Sequence, residues 1–412
     1  MTTAGTGKRK LVNGINRIGA WIPGGDFQSF DAEKLIAQAC RLADYAEFGE
    51  MHPAEPLAVL FDSYQRESKL SFIGRIAMRQ DALTMLVNRL KIEKKRAATP
   101  AIAAEPIHQP VFILGLPRTG TTLLHNLLSQ DPQHRSPLGW ETMYPEVPTT
   151  AREAERLIKK AQSRSAWLDW LAPTVRVMHE VDMLQPQECI QITGHTFESY
   201  LFETLCHVPS YQRWLAKRDL TPSYRFHQRM LQHFQYGQHT PTWVLKAPAH
   251  LFAINALLAV YPDARIIQTH RDPLQVIPSL ASLVYTLRCA FSDAVDRSAV
   301  GKEIASHWSQ ALDQATRDRD LHTGTAHVWV DLSYERLVRE PLAAMEQLYA
   351  DAFGRNLDGE TADRMRQFLA ASPRHKFGKH HYSPEDFLLD PDMLSQRFHD
   401  YCERFNVLPG TS

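Results

Sequence analysis

Neither sign of charge prevails in this chain. Its 46 lysines and arginines are matched by 46 aspartates and glutamates. It therefore lacks the basic surplus of a nucleic-acid binder, and no nucleic-acid partner is expected. Any phosphate site must be a local cluster of cations. Long apolar runs are missing too. No stretch approaches the ~18 residues that would argue for a bilayer span. The best of them, Leu251 to Val260, is short, contains Asn255 and reads as a buried helix. The five cysteines (Cys40, Cys189, Cys206, Cys289, Cys402) are scattered, with no CxxC pair. That pattern fits reduced thiols in a cytoplasmic protein, and neither a disulfide framework nor a metal site is expected. Lys8, Arg9 and Lys10 lead into a polar stretch rather than an apolar one, so no secretory leader is read there. Internal repeats and low-complexity tracts are also absent.

What is present is ordinary globular material, 412 residues with 44% hydrophobic and 22% charged. That is enough for a sizeable core in one large domain or two smaller ones. Residues 1–105 read as a helical N-terminal region. Asp31 is placed to cap a helix from Ala32 to Tyr45, where Leu35, Ile36, Ala39, Leu42 and Ala43 recur at helical spacing. Further helices are expected at Pro56 to Tyr64 and from about Leu70 to Lys95. The last ends in a basic run, Arg89 to Arg96. That run fits a solvated helix end whose cations complement the dipole, or a patch for peripheral membrane contact.

After a proline-containing linker the pattern changes. Val111 to Leu114 is a short apolar run, followed by a Gly-rich turn and a helical pattern from Thr121 to Ser129. Strand signals recur at Trp243 to Lys246, Ala264 to Thr269 and Ala326 to Asp331. Helical patterns separate them at Leu251 to Val260, Leu274 to Leu287 and Glu303 to Leu321. This alternation predicts an α/β fold, a P-loop-like parallel sheet flanked by helices, over residues 106–412. A helical insertion at about 150–235 is expected between the first two strands.

The turn after the first strand reads Gly115-Leu-Pro-Arg-Thr-Gly120-Thr-Thr122. Its glycine spacing is that of a phosphate loop, in which backbone N–H groups and a helix N-terminus converge on an anion. The lysine that grips a triphosphate in ATPases and GTPases is missing, because Thr121 stands in its place. The cation is instead Arg118, inside the loop, whose guanidinium forks onto two oxygens. Thr119, Gly120, Thr121 and Thr122 complete the expected cradle. A second motif has the same layout. Arg271 ends a strand, Asp272 and Pro273 open a helix, and Ser279 lies two turns in. Arg271 and Ser279 together are placed to hold a second phosphate.

If the cradle holds the donor of a group-transfer reaction, a base and a cation near the transferring group are needed. Glu141 is the leading base: it should sit near the same sheet edge, with Trp140 beside it as an apolar wall. His250 and His195 are the other candidates. Lys246, at a strand end, is placed to approach the reacting group as a point charge.

The loop Pro117-Arg-Thr-Gly-Thr-Thr122 after a buried strand resembles the 5′-phosphosulfate loop of sulfotransferases that use 3′-phosphoadenosine-5′-phosphosulfate (PAPS). The version with arginine is similar to bacterial and protein-tyrosine members. The resemblance implies a PAPS-dependent sulfotransferase with a hydroxyl acceptor. It implies that Arg271 and Ser279 hold the 3′-phosphate, that Glu141 is the base and that Lys246 acts on the transition state. His250, in Lys246-Ala-Pro-Ala-His250, resembles the histidine of cytosolic members. Tyr334, in Tyr334-Glu-Arg-Leu, matches a family segment near the adenine. Lys376 and Lys379 match more loosely a C-terminal loop that closes over the 3′-phosphate. The insertion holds Trp167, Trp170, Met178, Met183, Phe197, Tyr200 and Phe202. They fit either a small apolar, lipid or glycolipid acceptor or a plain helical core.

Two other readings stand beside this one, a P-loop kinase or NTPase and a non-catalytic nucleotide-binding protein of the same fold. Thermal stabilisation separates them. Binding raises stability with ligand concentration over Kd, so 3′-phosphoadenosine-5′-phosphate should raise Tm more than ATP with magnesium does. The reverse order would favour the kinase.

Overall fold

The computed structural model describes residues 14, 16, 28–148, 150–171, 182–238, 242–322, 327–371 and 383–408. Among the residues described from 28 on, three α-helices precede the sheet, α1 (Ala32–Ala43), α2 (Ala54–Arg66) and α3 (Phe72–Ala98). Asp31 caps α1 by accepting from Lys34 N at 3.0 Å, and Ser71 caps α3 by accepting from Gly74 N at 3.1 Å. Both use a side-chain oxygen to satisfy an N–H that the first helical turn leaves unpaired.

Strand β1 (Val111–Gly115) leads into α4 (Thr121–Leu128), a two-residue strand β2 (His134–Arg135) and α5 (Gly139–Met143). The insertion follows: α6 (Ala151–Leu171), α7 (Ile190–Gly194), α8 (Leu201–Leu205), α9 (Pro209–Leu215) and α10 (Thr221–Gln235). The chain then returns to the sheet with β3 (Thr242–Lys246), α11 (Ile254–Val260), β4 (Arg265–His270) and α12 (Pro273–Arg288). It continues with α13 (Arg297–Leu321), β5 (Val328–Ser333) and α14 (Tyr334–Arg339). The described helices between strands therefore enter after β2, a strand too short to leave a readable pattern.

The sheet order is β2-β3-β1-β4-β5, and every pairing is parallel. Ile113 lies opposite Lys246 in β3, and Gly115 opposite Thr269 in β4. The carboxyl ends of β1, β3 and β4 thus come to one edge. The chain leaves β1 toward one side of the sheet and crosses later to the other. That reversal opens a crevice at the carboxyl edge, where such sheets bind ligands.

Both faces are covered, so the strands read as continuous apolar runs rather than alternating ones. Val111 and Ile113 join a core with Leu124, Val244, Ile267 and Leu337. Phe112 and Leu114 face the other way. They belong to a larger core that includes Leu35 and Leu57 of the N-terminal helices and Tyr211 of the insertion.

The basic run at the end of α3 is largely tied into the fold. Arg89 is buried and donates to the Phe48 carbonyl at 2.8 Å. Lys91 pairs with Glu146 at 2.8 Å, and Lys94 binds the Asp44 carbonyl at 2.8 Å. Arg96 donates to the Arg229 carbonyl at 3.1 Å. Arg89 and Arg96 are thus buried in the fold, whereas Lys91, Lys94 and Lys95 stay exposed. Among the described residues no helix is long and apolar enough to cross a membrane.

At Gly74, α3 lies directly against the backbone at Phe291. A Cβ there would lie 2.0 Å from the Phe291 carbonyl oxygen, and a backbone atom cannot swing aside. Gly74→Ala should cost about 1–3 kcal/mol, the usual penalty of overpacking, read as a drop in Tm.

Candidate active site

The loop after β1 is built around two glycines and one strained arginine. Gly115 has φ +141°, and a Cβ there would meet Thr269 Oγ1 at 2.4 Å. Gly120 has φ +83°, and a Cβ would lie 3.0 Å from the Tyr334 ring. Arg118 adopts φ +70°, a left-handed conformation that costs a non-glycine residue energy and is kept where the surroundings impose it. Its carbonyl accepts from Arg271 Nη1 at 2.8 Å. The strain therefore joins the two phosphate motifs directly.

Thr119 corrects one expectation. Its side chain is fully buried and turned into the sheet. The hydroxyl donates to the Leu116 carbonyl at 2.6 Å and meets Thr269 Oγ1 at 2.6 Å. It fastens the loop to β4 instead of lining the cradle. Arg118, Gly120, Thr121 and Thr122 do line the open space beyond the loop, together with Arg271 and Tyr334. Arg271 stacks on the Tyr334 ring, 4.0 Å from its centroid, and donates to Gln275 Oε1 at 3.0 Å. Its Nε is buried without a hydrogen-bond partner, a donor left over for a ligand oxygen. Ser279 is buried two turns into α12 and is not on this wall. Lys376 and Lys379 lie outside the described residues.

Lys246, at the end of β3, places Nζ 3.4 Å from Thr122 Oγ1. It also forms an ion pair with Glu188, a residue that sequence reasoning missed. Glu188 is held by backbone bonds on both sides. Gln187 N donates to the Pro137 carbonyl at 2.8 Å, and Cys189 N to the Lys246 carbonyl at 2.8 Å. The contact joins residues far apart in the chain, so no local spacing reveals it. The only sequence hint is an acid directly before the apolar start of a helix.

The three bases expected from sequence fall differently. Glu141 is consumed by its own helix. Its carboxylate accepts from Leu138 N at 2.8 Å and pairs with Arg135 at 3.0 Å. Gly139, Thr142 and Met143 of the same short helix face the open space. At 100° per residue, position 141 stands on the opposite side. His250 is buried behind the strand, with Nδ1 2.6 Å from the Tyr224 hydroxyl and its ring edge-on to Phe112. It lines a separate cavity of only about 20 Å³. Burial pushes its pKa well down, with the His227 and Lys246 charges adding to the effect. His195 does line the main space, but both ring nitrogens are engaged. Nδ1 donates to the Gln191 carbonyl at 3.0 Å, and Nε2 accepts from Asn88 Nδ2 at 3.3 Å. Burial, more than the bonds to Gln191 and Ile192 can offset, pulls its pKa down to about 4.

The open space is one cavity of about 820 Å³. It begins at the phosphate loop and runs along a largely apolar wall. Ile76 and Met85 come from α3, Phe202 from α8, Leu280 and Leu287 from α12, and Ile304 from α13. Of the apolar and aromatic residues weighed as an acceptor lining, Tyr200, Phe202 and Met183 are on the wall, whereas Phe197 is in the core. The side chains of Trp167 and Trp170, and all of Met178, lie outside the described residues.

The site fits an anionic nucleotide. Two cations of the cavity wall, Arg118 and Arg271, flank a glycine cradle, and Lys246 stands at its rim. No carboxylate stands among them except Glu188, already paired. Among the described residues no group of three or more His, Cys, Asp or Glu side chains could hold a metal ion.

Parallel sheet, lysine-free phosphate loop and second arginine motif together define an enzyme that moves a group from a nucleotide donor. A profile of the Sulfotransferase family matches residues 110–357. The chain belongs to that family and is a transferase of sulfuryl groups. It is 28% identical over 324 residues to the omega-hydroxy-beta-dihydromenaquinone-9 sulfotransferase Stf3 of Mycobacterium tuberculosis, spanning 72% of this chain and 74% of the relative. The crystal structure of sulfotransferase STF1 from Mycobacterium tuberculosis superimposes with TM-score 0.76 at 31% identity, over 89% of this chain and 98% of that one. That of STF9 from Mycobacterium avium gives TM-score 0.79 at 26% identity, over 92% and 98%.

Thr119→Val removes the hydroxyl that joins loop and sheet. It should destabilise by about 1–3 kcal/mol, the cost of leaving buried polar partners unpaired. Differential scanning calorimetry should show the lower Tm, and binding of 3′-phosphoadenosine-5′-phosphate should weaken in parallel.

Proposed function

We propose that this enzyme transfers a sulfuryl group from PAPS to the hydroxyl of a long, apolar, lipid-like acceptor, with Glu188 as the base. One observation carries the reading: a single cavity joins the anion cradle to an extended apolar wall. The donor, when bound, supplies an activated sulfuryl group on its 5′-phosphate. The loop amides, Arg118 and the Thr121 and Thr122 hydroxyls would hold that end. Arg271 would take the 3′-phosphate and Tyr334 the base, as the stacked pair beside the loop favours.

The chain's own side chains supply the remaining chemistry. Lys246 puts a fixed positive charge within reach of Thr122 and stabilises negative charge that develops there. Glu188 lies on the cavity wall beside it. As a carboxylate it takes the proton of the acceptor hydroxyl as the oxygen becomes a nucleophile. Glu141 has a positioning role, since it closes the turn that places Gly139 and Thr142 on the wall. The relative Stf3 is named for a lipid quinone with an omega-hydroxyl, which supports a hydroxylated lipid as acceptor here.

The test is sulfation of long-chain and isoprenoid alcohols with PAPS, followed by mass spectrometry. Turnover of small phenols but of no long alcohol would overturn the acceptor reading. Glu188→Gln should lower kcat by ~10² or more, as loss of a general base does. Glu141→Gln should stay within about tenfold of the parent, since it alters only a helix cap and an ion pair. The opposite ranking would return the base role to Glu141.

A further inference from the structure

Away from the donor end, charge breaks the apolar wall at two places: an Asp81–Arg164 ion pair, and a larger group from three other helices. That group is Glu203, Arg288, Glu303 and His307, which all line the cavity and come from α8, α12 and α13. Arg288 is almost fully buried and donates to both Glu303 oxygens, at 2.6 and 2.8 Å. It also donates to the Glu203 carbonyl at 2.6 Å. His307 Nε2 lies 2.7 Å from Glu203 Oε1. Gln212 bridges the two carboxylates, at 2.8 Å to Glu203 and 3.2 Å to Glu303. His207 approaches Glu303 from the outer side at 3.0 Å.

Such a group is expensive in a lipid-lined space. Charges removed from water cost several kcal/mol each unless paired, and hydrophobic replacements often stabilise a fold as well or better. Packing alone therefore gives no reason for it. Burial lowers the His307 pKa, but the Glu203 carboxylate, with Glu303 behind it, outweighs this and the net shift is upward, toward the imidazolium. An imidazolium carries an N–H on each ring nitrogen, so Nδ1 remains a donor once Nε2 has met Glu203. The ring stacks on Phe252, 4.5 Å between centroids, and 17% of the side chain is exposed. With His307 as the imidazolium, the island balances two cations, Arg288 and His307, against two carboxylates, Glu203 and Glu303. It is neutral overall and suits a neutral oxygen better than an anion.

Its position is set by α12. That helix starts at Pro273, two residues after Arg271, and ends at Arg288. A helix of this length places its ends roughly 20 Å apart at 1.5 Å per residue. The donor grip stands at one end and the charged island at the other.

We propose that Glu203, Arg288, Glu303 and His307 form a second polar subsite, in which His307 donates to a carbonyl oxygen at the far end of the acceptor. This inference rests on the lipid-acceptor reading and narrows it. The acceptor is a two-ended molecule, with a hydroxyl that reaches Glu188 and a neutral carbonyl group at the far end of an apolar span.

The experiment compares two synthetic acceptors with PAPS, a plain long-chain primary alcohol and the same alcohol bearing a ketone at its other end. The two-ended compound should have a kcat/KM at least about tenfold higher, mostly through KM, as expected for a hydrogen bond from a charged donor. Its binding, followed by quenching of tryptophan fluorescence, should be tighter by a similar factor, since Trp308 lines the same cavity. In His307→Phe the two kcat/KM values should converge to within about twofold of each other. His307→Gln, which keeps a donor, should retain part of the preference and serves if the phenylalanine variant does not fold. Equal kcat/KM for both compounds in the parent enzyme, or a preference that survives in both variants, would overturn the subsite alone. Sulfation of neither alcohol would overturn the acceptor reading and the subsite with it.

Discussion

Everything in this molecule depends on β1 lying between β3 and β4, parallel to both. Parallel pairing forces the three carboxyl ends to one edge, and the residues just past those ends are the ones with functional chemistry. The phosphate loop follows β1, Lys246 ends β3, and Arg271 follows β4. The hydroxyl pair between Thr119 and Thr269 then fixes the height of the loop relative to the neighbouring strand. With that register set, the Arg118 carbonyl comes within hydrogen-bond distance of Arg271, and the strained backbone at Arg118 is held by its surroundings rather than by its own preference.

The strand, loop and helix of the proposed donor cradle were legible in the sequence because these elements are local, although Thr119 and Ser279 turned out not to line it. A buried strand, two glycines five apart, an arginine between them and a helix can be read in a dozen residues. The Arg271 motif is equally compact. The acid that meets Lys246 was not legible. Glu188 reaches the site through a long excursion of the chain and is placed by backbone bonds to Pro137 and Lys246. Glu141 drew attention for local reasons, an acid beside a tryptophan shortly after the loop helix. The same local geometry uses its carboxylate on Leu138 and Arg135. Spacing along a short helix would have shown that position 141 cannot share a face with 139 and 142. The histidines were misleading in a different way. His250 follows the strand as sequence reasoning expected, yet the turn folds it back under Phe112.

The wall of the cavity was the least legible part. Nothing in α1 to α3 announces a catalytic role, and their apolar periodicity is that of any packed helix. Their contribution is shape. They share one core with the insertion and the sheet, and α3 supplies part of the lining. His195 shows how closely these pieces are joined, since its ring bonds α7 to Asn88 of α3.

The two halves of the site are made of different material. The proposed donor cradle is made of strand ends and turns, whose positions are locked by the hydrogen-bond ladder of the sheet. The acceptor is enclosed by side chains on helices outside that ladder. Residues on α3, α8, α12 and α13 can therefore vary in size and polarity without moving the loop at Gly115 to Thr122. A fold divided in this way lets the acceptor wall be rebuilt by substitution while the phosphate loop stays where it is.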